Sequence, residues 1–329
     1  MNRPRRTARK APRMVLATAR ALSHALCLAL CALTIAAIPA CGSSSQGTAE
    51  AAPASAPGAG GGISATGAAY EQPETVKVPE AAYGGIDVSG VNEGWVSASA
   101  TSAARLKFQV INGETTYNYD LPNDGTPTLF PINMGDGWYR FRVMQNTEGN
   151  NYVELDSTEA DVMLESEFAP FLIPNQMCSY TESSECVAKA RELTANATNE
   201  GEAVAYICTY VAENTTYDTP KAEELSKSSG YIPDADETLA SGKGICFDYA
   251  SLSAAMLRSM GLPTKVMTGY VGADELYHAW IMVYVDGTWK TAVFSVEPKT
   301  WSRCDVTFAS TGATKYTGSG ASYTDKYTY

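Results

Sequence analysis

Histidine is what this chain of 329 residues has least of: two, at positions 24 and 278. One of them lies in an N-terminal segment with the character of a removable export signal, which leaves His278 as the sole imidazole. A metal site built on imidazoles, or on cysteines at short fixed spacings, needs more donors than that. The sequence therefore implies no metal and no cofactor. Bases are scarce too, 24 against 36 acids. Residues 1–41 hold seven of those bases and no acid, so the chain beyond them carries 17 against 36, a net charge of −19. Such a surface repels phosphate backbones and argues against nucleic acid as a partner. The apolar stretch near the N-terminus, roughly Ala25 to Ala40, falls short of the ~20 residues a membrane-spanning helix needs.

What stands at that end is a basic run (Arg3, Arg5, Arg6, Arg9, Lys10, Arg13, Arg20), then the apolar stretch, then Ile38-Pro39-Ala40-Cys41. The order charged, apolar, small is that of an export signal. The terminal cysteine resembles a bacterial lipobox, which implies acylation of Cys41 and a lipid anchor on the outer face of the cytoplasmic membrane, the alternative being a plain secretory cut nearby and a secreted protein. Residues 42–72 are rich in Ala, Gly, Ser and Pro and have little to bury, so they read as a flexible tether. Beyond the signal five cysteines remain: Cys178, Cys186, Cys208, Cys246 and Cys304. An odd number outside the cell leaves at least one thiol unpaired. Cys178 and Cys186 bracket the short polar loop SYTESSE and are expected to pair. Cys208 lies on an apolar helical stripe with Val204, Ile207 and Val211 and is expected to be a packed thiol.

Residues 73–170 read as short alternating strands separated by turn signals such as Asn112-Gly113 and Asp136-Gly137, which predicts a small antiparallel sandwich, read as a structural spacer ahead of a role in positioning or ligand binding. The texture changes after Pro174. Helices are predicted over 183–196, 200–214, near 221–227, and from Cys246 to Met260, with YIPDADETL as a turn. Strands follow at about 264–271, 277–285 and 300–308, and the tyrosine-rich tail reads as an edge strand. Helices first and strands after them make residues 171–329 an α+β domain.

Three residues in this second domain can do chemistry together. Cys246, in GKGICFDYA, opens a helix that is apolar on most sides. A thiol there faces unpaired N–H groups and the positive end of the helix dipole, which favour thiolate and can cradle an oxyanion. On the strand YHAWIMVYV, His278 shares a face with Trp280, Met282 and Tyr284. Asp305, in WSRCDVTF, shares a face with Trp301, Arg303 and Thr307. Were these strands neighbours, the carboxylate would fix the imidazole tautomer while the other ring nitrogen serves the thiol. Tyr217 is a candidate oxyanion donor, and Trp280 a candidate for packing or cleft wall.

This order, a cysteine at a helix start, then a histidine strand, then an aspartate strand, resembles the transglutaminase-like superfamily of papain-type thiol enzymes over roughly Cys186 to Phe308. GKGICFDYASLSAAMLRSMGLPTKVMTGYV, YHAW and WSRCDVTF carry the resemblance, with NTTYDTPKA and SGYIPDADETL in support. It implies a papain/transglutaminase-like core of helices packed on an antiparallel sheet, with Cys246 as nucleophile, His278 as base and then acid, and Asp305 as orienting carboxylate. The substrate implied is a protein or peptide amide, with water or a lysine amine as acceptor. One departure stands out: 27 positions separate His278 from Asp305. Aligning the nearer tryptophan, Trp289, would put Val293 where the carboxylate belongs and imply a non-catalytic surface adhesion or scaffolding module. Aligning Trp301 places Asp305 correctly and makes residues 286–299 an insertion beside the site.

Overall fold

The computed structural model describes residues 68–228, 230–271, 276–285, 287–291 and 323–329. Its first half is strands β1 (Gly85–Asp87), β2 (Trp95–Ser99), β3 (Leu106–Asn112), β4 (Thr115–Leu121), β5 (Thr128–Pro131), β6 (Gly137–Glu148) and β7 (Asn151–Val162). They form two antiparallel sheets, ordered β1-β2-β5 and β4-β3-β6-β7. The hairpin between β3 and β4 turns at Gly113, whose φ of 57° is left-handed and costs glycine little. Alternation then does the sorting. Leu106, Phe108 and Val110 of β3, with Tyr119 and Leu121 of β4 and Tyr139, Phe141 and Val143 of β6, point inward and are buried. They meet Val96, Ala98 and Phe130 from the other sheet, with Phe108 stacked on Phe130 at 4.5 Å between ring centroids. Each buried ring contributes ~1.5–3 kcal/mol relative to exposure. The opposite row, including Lys107, Gln109, Asn118 and Asp120, faces out of the sandwich.

The second half has helices α1 (Glu185–Thr194), α2 (Glu200–Asn214), α3 (Thr219–Leu225), α4 (Ala235–Ser241) and α5 (Cys246–Ser259). Between them lie the two-residue strands β8 (Thr216–Tyr217) and β9 (Lys243–Gly244), paired in parallel. After α5 come β10 (Thr264–Val271), β11 (Leu276–Val285), β12 (Thr288–Thr291) and, from the tail, β13 (Tyr323–Thr328), in one antiparallel sheet ordered β12-β11-β10-β13. Every residue of α5 from Asp248 to Ser259 is buried. Such a helix can only be central: α1, α2 and α4 pack on it, as do β10 and β11. The row Ala279, Ile281, Val283 and Val285 of β11 belongs to the same core as α5. At the other end of the helix Gly261 turns the chain at a φ of 76°, and Pro263 follows it. Helices on one side and antiparallel sheets beside them make the chain α+β, as predicted.

Two elements differ from the sequence reading, and a third agrees with it. YIPDADETL is not merely a turn: Asp234 accepts a hydrogen bond from the Glu237 N–H at 2.9 Å and starts α4, which Gly242 closes in the left-handed region. The strand beside β11 is β12, drawn from the stretch read as an insertion, with Tyr284 opposite Trp289. The tail does pair at the sheet edge, through β13 against β10. The strand predicted at 300–308 lies outside the described residues.

Candidate active site

Cys246 is the first residue of α5, and its position is set by what precedes it. Asp218 N–H donates to the Gly244 carbonyl at 2.9 Å, and Thr216 N–H to that of Gly242 at 2.8 Å, so the β8–β9 bridge fixes the approach to the helix. Gly244 packs directly on Asp248: a Cβ there would stand 2.6 Å from the aspartate's own, so no larger residue fits. The Asp248 carboxylate reaches back and accepts from the Ile245 N–H at 2.7 Å. Ile245, the N-cap residue, has no side-chain acceptor to return the favour, so no side chain caps the first turn of α5. Its N–H groups keep their capacity to stabilise an anion beside Cys246.

Asp248 is itself completely buried and held from two more sides. Lys221 Nζ lies 2.9 Å from Oδ2, and the Tyr231 hydroxyl donates to Oδ1. Lys221 also sits 4.7 Å from the centre of the Tyr231 ring. Burial works against the charge on Lys221, but its bonds to Tyr231 and Asp248 outweigh that and raise its pKa. Burial, with the adjoining carboxylate, pushes the Tyr231 phenol up to about 12. A buried carboxylate at a helix start is thus compensated by a cation, and an aromatic ring is clamped at the same place.

That ring lines a cleft of about 310 Å³ in which Cys246 and His278 are brought together. Cys246 is partly exposed and His278 buried. Tyr277 stands beside the histidine, its hydroxyl 3.1 Å from Thr268 Oγ1. Gln176, whose side-chain amide donates to the Asp120 carbonyl, lines the cleft too. So do Lys107, Asn118 and Asp120 from the outer row of β3 and β4. The sandwich therefore walls the cleft, which corrects its reading as a spacer. Strand alternation turns those side chains away from their own core, and nothing in their local pattern says what they will face.

The remaining predicted residues divide. Tyr217, on β8, packs against the same core as Cys246; burial, with the Cys246 sulfur nearby, pushes its phenol up to about 12, so it stays a hydroxyl donor near neutrality. Trp280 is not among the residues lining this cleft: it is buried in a cluster with Met267 and Tyr323, meeting the tyrosine ring edge-on at 4.8 Å. Cys178 and Cys186 are buried free thiols rather than the expected disulfide. Cys186 is held on the first turn of α1, where its N–H donates to Asp236 Oδ1 at 2.8 Å, while Cys178 closes a tight turn with Asn175. Cys208 is buried among Val204, Ile207 and Val211, as expected. Cys41, Asp305 and Cys304 lie outside the described residues. Sequence reasoning missed Asp248, Lys221, Tyr231 and Gln176; the first three sit within stretches that carried the family resemblance, which is the signal that could have found them.

Residues 187–305 match the sequence model of the Transglutaminase-like superfamily, and this segment is a transglutaminase-like domain. An uncharacterized protein of Mycobacterium leprae is 34% identical over a match that covers 18% of this chain and 27% of that protein. The chain thus spans little more than a quarter of that relative. Among solved structures, a TGase shows 24% identity and a TM-score of 0.27, over 32% of this chain and 28% of that one. A candidate cysteine protease from Cytophaga hutchinsonii shows 15% identity and a TM-score of 0.33, over 72% of this chain and 87% of that one.

Proposed function

We propose that the chain is a thiol enzyme acting on amide bonds of proteins or peptides. The observation that carries this is the shared cleft: the only imidazole beyond residue 41 and a partly exposed thiol at the start of a buried helix line the same space. The Cys246 sulfur, its proton passed to His278, attacks the amide carbonyl, with charge on the carbonyl oxygen received by the N–H groups of the first turn of α5 and by the Tyr217 hydroxyl. The C–N bond then breaks, His278 gives its proton to the departing amine, and a thioester remains. Water or a second amine, deprotonated by His278, adds to that thioester and releases the thiol. Asp305 is assigned to orient His278, and the family match running as far as residue 305 supports that assignment.

A second reading, a non-catalytic surface adhesion or scaffolding module keeping the same fold, is favoured by one observation: β12 follows β11 as its hairpin partner, the pairing that goes with Val293 in the carboxylate's place. Incubating the full chain with glutamine-containing peptides and a labelled primary amine, followed by mass spectrometry, separates the two. Cleavage, deamidation or amine incorporation that is lost in Cys246→Ala and His278→Ala, and falls at least about a hundredfold in Asp305→Ala, is expected of the enzyme. Turnover absent from the unsubstituted chain establishes the scaffold. Turnover unaffected by Asp305→Ala removes that residue from the site.

The reading also places the domains: an export signal at 1–41, a tether at 42–72, a sandwich at 73–170 and the thiol domain at 171–329, with acylated Cys41 holding them at the membrane's outer face. The basic and then apolar order before Cys41 supports this. Acyl-chain labelling that persists in Cys41→Ser would remove the anchor.

A further inference from the structure

We propose that the outer face of the sheet β4-β3-β6-β7 carries a substrate subsite, which takes a carboxylate-bearing segment of the peptide whose amide is held at Cys246. The inference rests on the reading of Cys246 as the nucleophile and adds a substrate preference to it. A second cleft, of about 490 Å³, opens on that face. Its polar lining is two cations, Arg105 and Lys107, three amides, Gln109, Asn118 and Asn150, and the phenol of Tyr152. No carboxylate lines it, in a chain with 36 acids and 24 bases. Lys107 and Asn118 line the Cys246 cleft as well, so the two spaces meet at these side chains. An extended peptide lying in one is delivered into the other.

The sheet explains the arrangement. Lys107 pairs across the hairpin with Asp120, and Gln109 with Asn118, so all four share the outward row. Asp120 accepts from Arg105 Nη2 and from Lys107 Nζ, each at 2.8 Å. One carboxylate against two cations leaves a net positive charge, and it also stiffens both donors. Arg105 spends Nε and Nη2 on Asp120, which leaves its other guanidinium nitrogen to a ligand. Gln109 Nε2 donates to Asn118 Oδ1 at 2.7 Å, which turns the Asn118 amide hydrogens outward from that bond. Donors outnumber acceptors along the path, which suits carboxylates and peptide carbonyls.

The test uses the full chain as Cys246→Ala, so that binding is read without turnover. Two fluorescent peptides share one central glutamine and differ only in flanking residues, glutamate in one and glutamine in the other. In anisotropy titrations the glutamate peptide is expected to bind about tenfold more tightly at low salt, with most of that advantage lost at high salt. Arg105→Gln should erase the preference, so that the two peptides bind with equal affinity. Equal binding of the two peptides overturns the subsite, and so does a preference that survives Arg105→Gln. Failure of the thiol reading appears separately, as absence of turnover of either peptide by the chain that retains Cys246.

Discussion

At the scale of single residues, the four cysteines among the described residues differ in what surrounds the sulfur. Burial pushes the Cys178 thiol up to about 11. Burial, with a hydrogen bond to the Asp236 carboxylate added to it, pushes the Cys186 thiol higher still. Cys246 alone of the four is partly exposed. Because the thiolate is the reactive form, raising a thiol's pKa withholds reactivity until the pH climbs towards that value. At pH 8 Cys178 presents about one thiolate per thousand molecules, rising tenfold per pH unit. Alkylation of the native chain at pH 8, read by peptide mass mapping, should therefore modify Cys246 first and leave Cys178 and Cys186 nearly untouched until denaturant is added. Equal labelling of Cys178 and Cys246 would contradict this. The three buried cysteines show what a sequence conveys. The packed fate of Cys208 is legible from its helical stripe, whereas Cys186 is held by Asp236, 50 positions along the chain, and Cys178 by a tight turn with Asn175 that carries no turn signal.

At the scale of elements, the start of α5 is a small electrostatic assembly with a testable weight. Asp248→Ala strips acceptors from the Ile245 N–H, from Tyr231 and from Lys221 at once. The loss should be about 3–5 kcal/mol, the range for breaking a buried ion pair, measured as a shift in the urea midpoint. A shift below ~1 kcal/mol would mean that solvent replaces those bonds readily. The edge of the sheet is governed by sterics instead. A Cβ on Gly269 would lie 2.1 Å from the Thr324 carbonyl oxygen, at the irregularity where β13 changes register against β10. Gly269→Ala should loosen β13, seen as faster hydrogen exchange in residues 323–328 with α5 still protected; unchanged protection at the edge would show that the strand can shift aside. Of these features, α2, α5 and the hairpin at Gly113 were legible, because periodicity, caps and turn residues are written locally. The helix α4 went unread because Pro233 and three acids imitate a turn, although Asp234 with Glu237 three residues on is also a helix start. The Lys221–Asp248–Tyr231 assembly was invisible for another reason: it joins residues from three segments through side-chain tips, which no local pattern records.

At the scale of the whole molecule, one cation ties separate segments together. Arg258, at the last turn of α5, is only 2% exposed. Its Nε donates to the Thr264 carbonyl, Nη1 to that of Ile173 and Nη2 to the Tyr329 main-chain oxygen, each at 2.8 Å. The helix, the start of β10, the segment before α1 and the end of the chain therefore share one guanidinium. Tyr329 also packs against both hydrophobic cores and meets Tyr117 edge-on at 5.8 Å. Arg258→Met, which fits the volume, removes the side-chain donor from the buried Thr264 and Ile173 carbonyls and one of two donors from the Tyr329 oxygen, and should cost about 1–3 kcal/mol per acceptor left unpaired. The measurement is calorimetry on the full chain; a melting temperature within a degree or two of the parent's would show that the clamp is redundant.

The alternation along β3 and β4 has a consequence for how this molecule can change. Inward positions hold the sandwich together and outward ones border the sulfur, and neighbouring codons belong to different tasks. Mutations at Lys107, Gln109 or Asn118 can reshape the lining of the clefts without touching the inward row that holds the strands together. On the proposed function, taste and chemistry would then be inherited on separate stretches of polypeptide, each free to drift while the other stands still.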